Sequence, residues 1–528
     1  MKHYISKTGA MLLVTLMSAP AVMAQTETQS TLSPEGYSPA ALELLKEQRL
    51  WFKSSNAAGA VLDDTRNYSE VKIGYDQTSG NFHRPQDGKS VNNAGVDCEG
   101  FMNLGSALVW GEFSFKQRNV NEASFNASIA DPFRGMPFFM ADEHLSDWRN
   151  QNYDMKFRAS TPLYWGKLAL GVEGTYRAAI AAKQRDPRVD TRYFELGVNP
   201  ALVYSIDGKH SIGADFQYTS LKEDSRMSNV NYLDDQTYYF LFGLGAATVE
   251  MGSGISTDYH GHIAGGGLQY NYNNGGSINI LAGVDYTRHV ENVDRNPTIP
   301  QKAASVKDDT WKASIQATVN GARFAHRINL GGYTRDIKGI QYVSENNGDI
   351  ENPGWSVLEY DVRSTYRTTR LSADYSLVRK RADEYAWRVD AGVVYNKQKD
   401  RYLLPEAHKN SSGVYTHLTA KYNFNLGDKM NRRLLIAATG GVMSAGKGEY
   451  VYSDALPSLP TITVLETGNI NYLSSDYWNV GGSATYSQQI KGDNRMNAYA
   501  RAEINYVKTS DFDFNHRRYL SFAVGVTF

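Results

Sequence analysis

The last twelve residues can be accommodated in very few environments. In residues 517–528, Leu520, Phe522, Val524, Val526 and Phe528 share one face of an extended segment. Ser521, Ala523, Gly525 and Thr527 share the other, because strand side chains alternate with period two. A soluble edge strand this apolar invites aggregation. A strand facing hydrocarbon requires such a face, and closing the sheet into a barrel removes the edge. The competing reading is the final strand of a soluble sandwich.

The start of the chain reads as an export signal. Lys2 and Lys7 precede a short apolar run at residues 11–17, Pro20 ends it, and Val22-Met23-Ala24 places a cleavage site after Ala24. The run is too short to span a bilayer, and no cysteine follows it to carry a lipid anchor. Without Lys2 and Lys7 the exported chain holds 53 basic against 56 acidic residues, a formal charge of −3. That balance argues against nucleic acid as a partner. Cys98 is alone, so no internal disulfide can form.

No stretch approaches the roughly 18 apolar residues of a membrane helix. A membrane barrel needs none, since half of each strand faces water. The 35 Tyr, 8 Trp and 46 Gly suit interfacial girdles and curved sheets. Repeated alternation supports this. Leu168, Leu170 and Val172 oppose Lys167 and Glu173; Trp387, Val389 and Ala391 oppose Arg388 and Asp390. Leu418, Ala420 and Tyr422 oppose His417 and Lys421; Ala498, Ala500 and Ile504 oppose Arg501 and Glu503. A Lys or Arg on the lipid face costs roughly 2–4 kcal/mol at the midplane, so the charged face is the lumen. Glu173, Arg177, Glu195, Asp215, Arg388, Asp390, Lys421, Arg501 and Glu503 are the expected lining. Their mixed signs argue against strong ion selectivity.

The connections are asymmetric. Residues 206–209 (IDGK), 273–276 (NNGG), 320–322 (NGA), 426–429 (LGDK) and 491–494 (KGDN) carry hairpin-turn chemistry. Pro162 and residues 380–383 fit the role less cleanly. Long polar excursions fall at 119–149, 223–257, 291–306, 338–355, 400–412 and 452–475. Short turns at one end and long loops at the other are the pattern of an outer-membrane barrel. The expected fold is all-β, a closed antiparallel transmembrane barrel of about 16 strands, with 14 and 18 open. The pair at 67–103 is too polar to count cleanly. The expected division is a signal peptide over 1–24, a periplasmic or plug segment over 25–66, and the barrel over 67–528. In the plug segment Ser38-Pro39 is a helix start, and Ala41, Leu42, Leu44, Leu45 and Leu50 give an apolar stripe. That helix plugs the lumen or packs beneath the barrel mouth.

The C-terminal strand resembles that of bacterial outer-membrane barrels, which ends in Phe and is read by the barrel assembly machinery. Residues 51–59 (WFKSSNAAG), 69–75 (SEVKIGY), 131–138 (DPFRGMPF), 146–148 (SDW) and 182–188 (AKQRDPR) resemble a Bacteroidota family of outer-membrane β-barrels known as a domain of unknown function. The resemblance implies a barrel in the Gram-negative outer membrane and no established chemistry. More remotely, the Asn-Ala-Ala-Gly of residues 56–59 is similar to the hatch of fatty-acid-channel-like barrels.

Lys183, Arg185 and Arg188, with Asp186 among them, form a basic cluster at the expected mouth. It contacts an anionic solute, or it pairs internally or with lipopolysaccharide phosphates. His260 and His262 share a strand face with Asp258, too few ligands for a metal. Gly243-Leu244-Gly245 and Gly265-Gly266-Gly267 open no helix, so neither is a phosphate loop. No Gly-x-Ser-x-Gly elbow is present, and no cofactor or catalytic residue is expected. The expected role is passage of a small solute through a partly plugged lumen. The alternative is a structural, secretion-associated or surface-binding component of an outer-membrane complex. An outer-membrane enzyme is the remaining class. The loop at 223–257, with Tyr232, Tyr238, Tyr239, Phe240, Leu241 and Phe242, folds inward as a constriction or outward as a docking surface.

Overall fold

In the computed structural model, β1 (Tyr68–Ser79) pairs with the last strand of the chain, and that pairing closes the sheet into a barrel. The structure describes residues 37–528 apart from 232, 234, 253, 297, 349–350, 352, 428–430, 454–457 and 491–492. The expected export signal and its cleavage site lie outside the described residues.

From β1 the barrel wall continues through β2 (Ser90–Asn103) and β3 (Leu108–Ala123). After β4 (Met140–Ala141) come the wall strands β5 (Ser146–Ser160), β6 (Leu168–Lys183), β7 (Arg188–Ser205) and β8 (His210–Ser228). Next, β9 (Gln236–Gly243) and β10 (Ala246–Gly252) form a hairpin that pairs with β4 in a separate small sheet. The wall resumes with β11 (Ser256–Asn273), β12 (Ile278–Arg295), β13 (Gln301–Asn320), β14 (Phe324–Asn346), β15 (Trp355–Arg381), β16 (Glu384–Tyr402), β17 (Ala407–Gly427) and β18 (Arg432–Ala445). The short β19 (Glu449–Tyr452) extends that edge of the wall by pairing with β17. Then β20 (Tyr477–Ile490), β21 (Asp493–Lys508) and β22 (His516–Thr527) complete it. Among the described residues the closed antiparallel wall has 18 strands, not the expected 16.

The missing pair is the hairpin over residues 67–103. Its alternation is hidden because the lumenal face carries Glu70, Lys72, Asp76, Asp97 and Glu99, while the outward Val71, Ile73, Tyr75 and Val96 are interrupted by small and polar residues. In β22 and the residue after it, Leu520, Phe522, Val524 and Phe528 are exposed on the outside, and Ala523 and Thr527 are buried on the inside. The same inversion runs round the wall. Phe194, Leu196, Val198 and Leu202 of β7, and Ile328 and Leu330 of β14, are large, apolar and open on the outer face. A face this apolar belongs in hydrocarbon. Aromatic side chains edge the band, with Tyr164, Trp165, Tyr204 and Tyr422 towards one end. Towards the other stand Tyr286 with Trp311, ring centroids 4.7 Å apart, and Trp478 with Tyr506.

The end that holds the start of β1 has short turns; the other end has the long loops. Five expected loops shrink, 119–149 to 124–145, 223–257 to 229–255, 291–306 to 296–300, 338–355 to 347–354 and 400–412 to 403–406. The strands continue beyond the apolar band, where outward residues are charged too. Arg288 pairs with Asp309 at 2.7 Å and Arg367 with Asp336 at 2.7 Å on that outer rim.

Inside the wall lie α1 (Pro39–Gln48), the 3₁₀ turns Trp51–Lys53 and Ala57–Leu62, and, at the loop end, the π-turn Thr461–Glu466 running into α2 (Thr467–Leu473). Ser38 caps α1, its hydroxyl accepting from Ala41 N, and Pro39 takes the first helical position. The buried Ala40, Ala41, Leu42, Leu44 and Leu45 lie on its apolar side.

Candidate functional site: a lumen plugged at both ends

The inner plug is residues 37–62, and barrel-wall charges hold its polar side. Glu43 accepts from Lys421 at 2.5 Å, Tyr385 Oη at 2.8 Å and Arg388 at 3.1 Å. Glu47 pairs with Arg327 at 3.0 Å, and Lys46 bridges Glu70 at 3.2 Å and Glu99 at 2.6 Å. The acids on β1 and β2 that obscured the first hairpin are therefore the sockets of a plug lysine. Burial alone would raise the Glu43 and Glu47 carboxyls. For Glu43 the charges of Lys421 and Arg388 outweigh it, and for Glu47 those of Lys53, Arg388 and Arg327, so both sit below their ordinary value.

Beyond α1 the plug is held by its own backbone. Arg158 donates to Phe52 O at 2.5 Å and Ser54 O at 2.9 Å, and Ser160 donates to Ala58 O at 3.0 Å. Asn56 Nδ2 donates to Leu202 O, Ala214 O and Gln269 Oε1. Trp51 is wholly buried. It packs over Gly59, where a Cβ would lie 2.1 Å from its ring. Residues 51–59, singled out in the sequence, are this wedge.

The outer plug is built from loops. Residues 124–145 fold inward and bury Phe125, Ile129, Met136, Phe138 and Met140. The β9–β10 hairpin lies against them with Tyr238, Tyr239, Phe240 and Leu241 buried. Its tip, Gly243-Leu244-Gly245, spans the lumen: Tyr450 Oη donates to Leu244 O at 2.8 Å, and Thr461 Oγ1 to Gly245 O at 2.7 Å. Of the loop expected at 223–257, the β9–β10 hairpin thus folds inward, while residues 223–228 and 256–257 belong to the wall strands β8 and β11; Tyr232 lies outside the described residues. Buried charge pairs fasten these loops to the wall. Arg134 meets Glu291 at 2.5 Å and Glu223 at 3.0 Å, Lys183 meets Asp142 at 2.6 Å, and Lys409 meets Glu466 at 2.7 Å. Desolvation opposes the charge of Arg134, yet Glu291 and Glu223 prevail and raise its pKa.

Between the plugs is a chamber of about 430 Å³ lined by Arg134, Arg177, Glu195, His289, Lys312 and Arg335, among others. It adjoins a second space of about 420 Å³ among the outer-plug loops, both touching Tyr333 and Arg335. Of the nine lining candidates, Arg388 and Lys421 grip the plug helix directly, and Asp390 orients Arg388 at 2.6 Å. Glu173 is paired with Arg158 and Lys156. Asp215 accepts from Ser55 Oγ of the plug at 2.8 Å. Arg177 and Glu195 line the chamber, 3.9 Å apart. Arg501 and Glu503 pair with each other at 2.8 Å on the lumenal face of β21.

The basic cluster does not form. Lys183 is buried on the lumenal face, bonded to Asp142 and to the carbonyls of Arg185 and Pro187. Arg185 is exposed, and Arg188 lies on the outer rim beside Asp186 at 3.2 Å. His260 and His262 point outward from β11; His262 Nδ1 is 2.8 Å from Tyr218 Oη, and His260 lies 3.5 Å from Asp294 rather than on Asp258. Sequence reasoning missed Arg134, Glu223, Glu291, Asp142 and Glu466. Nothing in strand alternation marks a loop residue as the partner of a distant wall residue.

The profile of a protein family of unknown function, DUF6850, matches residues 57–528. The chain belongs to this family. No curated protein matches the DUF6850 barrel in sequence. Among solved structures it is similar to BauA, the ferric preacinetobactin receptor of Acinetobacter baumannii, with 9% identity over 88% of this chain and 80% of that one, at a TM-score of 0.42. A Pseudomonas aeruginosa FadL homologue matches with 10% identity over 94% of this chain and 99% of that one, at 0.37. The copper transporter OprC matches with 13% identity over 84% and 62%, at 0.42.

Proposed function

We propose that this DUF6850 barrel sits in the outer membrane of a Gram-negative bacterium, with its short turns towards the periplasm, and passes a small solute. The loops face the cell exterior among lipopolysaccharide, and β22, with Leu520, Phe522, Val524, Val526 and Phe528, is the strand presented to the barrel assembly machinery. The observation that carries the reading is the chamber lined by charged side chains between the two plugs. A structural barrel needs neither a solvated interior nor loops anchored across it. The protein acts as a conduit and not as a catalyst. A second reading, a non-transporting component of an outer-membrane complex, draws on the buried ion pairs that fasten both plugs.

Liposome swelling with sugars and amino acids of graded size separates the two. The conduit reading expects slow, size-limited swelling with the native chain and a several-fold faster rate once the β9–β10 hairpin is deleted. Equal, negligible rates for both would favour the second reading.

A further inference from the structure

At the loop end, the outward charges of the wall are matched on one side of the barrel and opposed on another. Across β7 and β8, Asp190 faces Arg226 and Arg192 faces Asp224, opposite signs in register. From β13 to β16 the rim sets like charges against each other: Lys307 faces Lys338, and Arg367 faces Lys399. Like charges directly across a strand pair destabilise it. Lys397 adds a further cation one outward position below Lys399. The acids of this side are already taken, Asp309 by Arg288, Asp336 by Arg367 and Glu406 by Arg401. Among the described residues Lys307, Lys338, Lys397 and Lys399 form no ion pair.

A second feature lies on the same strands, nearer the short turns. The outer face carries a shallow apolar groove of about 1200 Å³ that runs from β14 across to β20. The small Ala373, Ala391, Ala438 and Gly440 leave it hollow between the larger Leu330 and Leu418. Along β16 its edge residue Val393 is separated from Lys397 only by the outward Tyr395. A cationic rim thus stands directly above a hollow in the face that meets hydrocarbon.

We propose that this face binds the lipid A moiety of lipopolysaccharide, with its phosphates on the two like-charged pairs and its acyl chains in the groove. A phosphate shared by two cations turns their repulsion into charge-assisted hydrogen bonds. The two pairs lie two strands apart, roughly 10 Å at the ordinary strand spacing. Lipid A carries a phosphate at each end of a disaccharide and can reach both pairs, whereas the single phosphate of a glycerophospholipid covers one. Several acyl chains also suit a groove that crosses several strands. The proposal rests on the outer-membrane orientation given above, with the loop end outward, and not on solute passage.

The test is native mass spectrometry of the detergent-purified full chain titrated with lipid A, dephosphorylated lipid A and phosphatidylglycerol. Lipid A is expected to bind in preference to the other two. Lys338→Gln combined with Lys399→Gln is expected to weaken it by at least about tenfold, and Arg192→Gln on β7 to leave it unchanged. Ala391→Phe, which fills the groove and leaves the rim intact, is expected to weaken it as well. Heat-modifiable electrophoretic migration verifies that each variant keeps its barrel. Orientation is read separately, by labelling Leu404→Cys in a Cys98→Ala background on whole cells with an impermeant maleimide. Equal binding of the three lipids, or undiminished lipid A binding in the double lysine variant, overturns this proposal alone when the label is taken up. Absence of labelling overturns the orientation and the proposal with it.

Discussion

Arg134 sits between two carboxylates that have almost no access to water. Glu223 and Glu291 are fully buried beside it, so removing the guanidinium strands two acids in a medium that cannot solvate them. Breaking a buried pair from one side costs about 3–5 kcal/mol. Arg134→Gln is expected to release residues 124–145 from the wall by that amount. The readout is hydrogen exchange: protection at Phe125 and Ala127, whose amides donate to Asp142 O and Met140 O, is expected to fall while that of β7 and β12 persists. Unchanged protection at Phe125 and Ala127 would show that apolar packing alone seats the loop. Arg388 and Lys421 were legible as lumen residues because a charge opposite an outward Val or Ala leaves few alternatives. Their partner Glu43 was not, since an acid on a short exposed-looking helix has many possible fates.

At the level of the element, α1 is a ligand of its own barrel. Its carboxylates Glu43 and Glu47 have pKa values held below the ordinary 4.5. A group depressed on docking contributes stability that is complete above its undocked pKa and is lost as pH falls through the docked one. Docking of α1 is therefore expected to be constant at neutral pH and to weaken below about pH 4.5. Tryptophan emission from Trp51, read as a difference from a Trp51→Phe variant, follows it. Glu43→Gln is expected to flatten part of that dependence, and an acid transition unaltered by the substitution would contradict it. The strands were legible wherever an apolar outer face met a charged inner one, as in β16, β17 and β21. They were misjudged above the band, where water wets both faces and alternation carries no information. For that reason the strands run on into five expected loops. The first hairpin was misjudged for another reason: its inner face is shaped by the plug it holds, a tertiary demand with no local period.

At the scale of the whole molecule, eighteen strands enclose far more cross-section than their side chains fill, and folded chain takes up the remainder from both ends. Everything above depends on hydrocarbon outside that wall and water within it. Cys98, the one cysteine of the chain, is a native reporter of this arrangement. It lies on β2 between Val71 and Phe113 of the neighbouring strands, on the outward side. The decisive measurement is quenching of a small fluorophore on Cys98 in reconstituted bilayers, by nitroxides on lipid acyl chains and by iodide in water. The account predicts strong quenching by the lipid nitroxides and little by iodide, with the reverse pattern for a label at Ser521→Cys in a Cys98→Ala background. Iodide quenching at Cys98 without lipid quenching would contradict it.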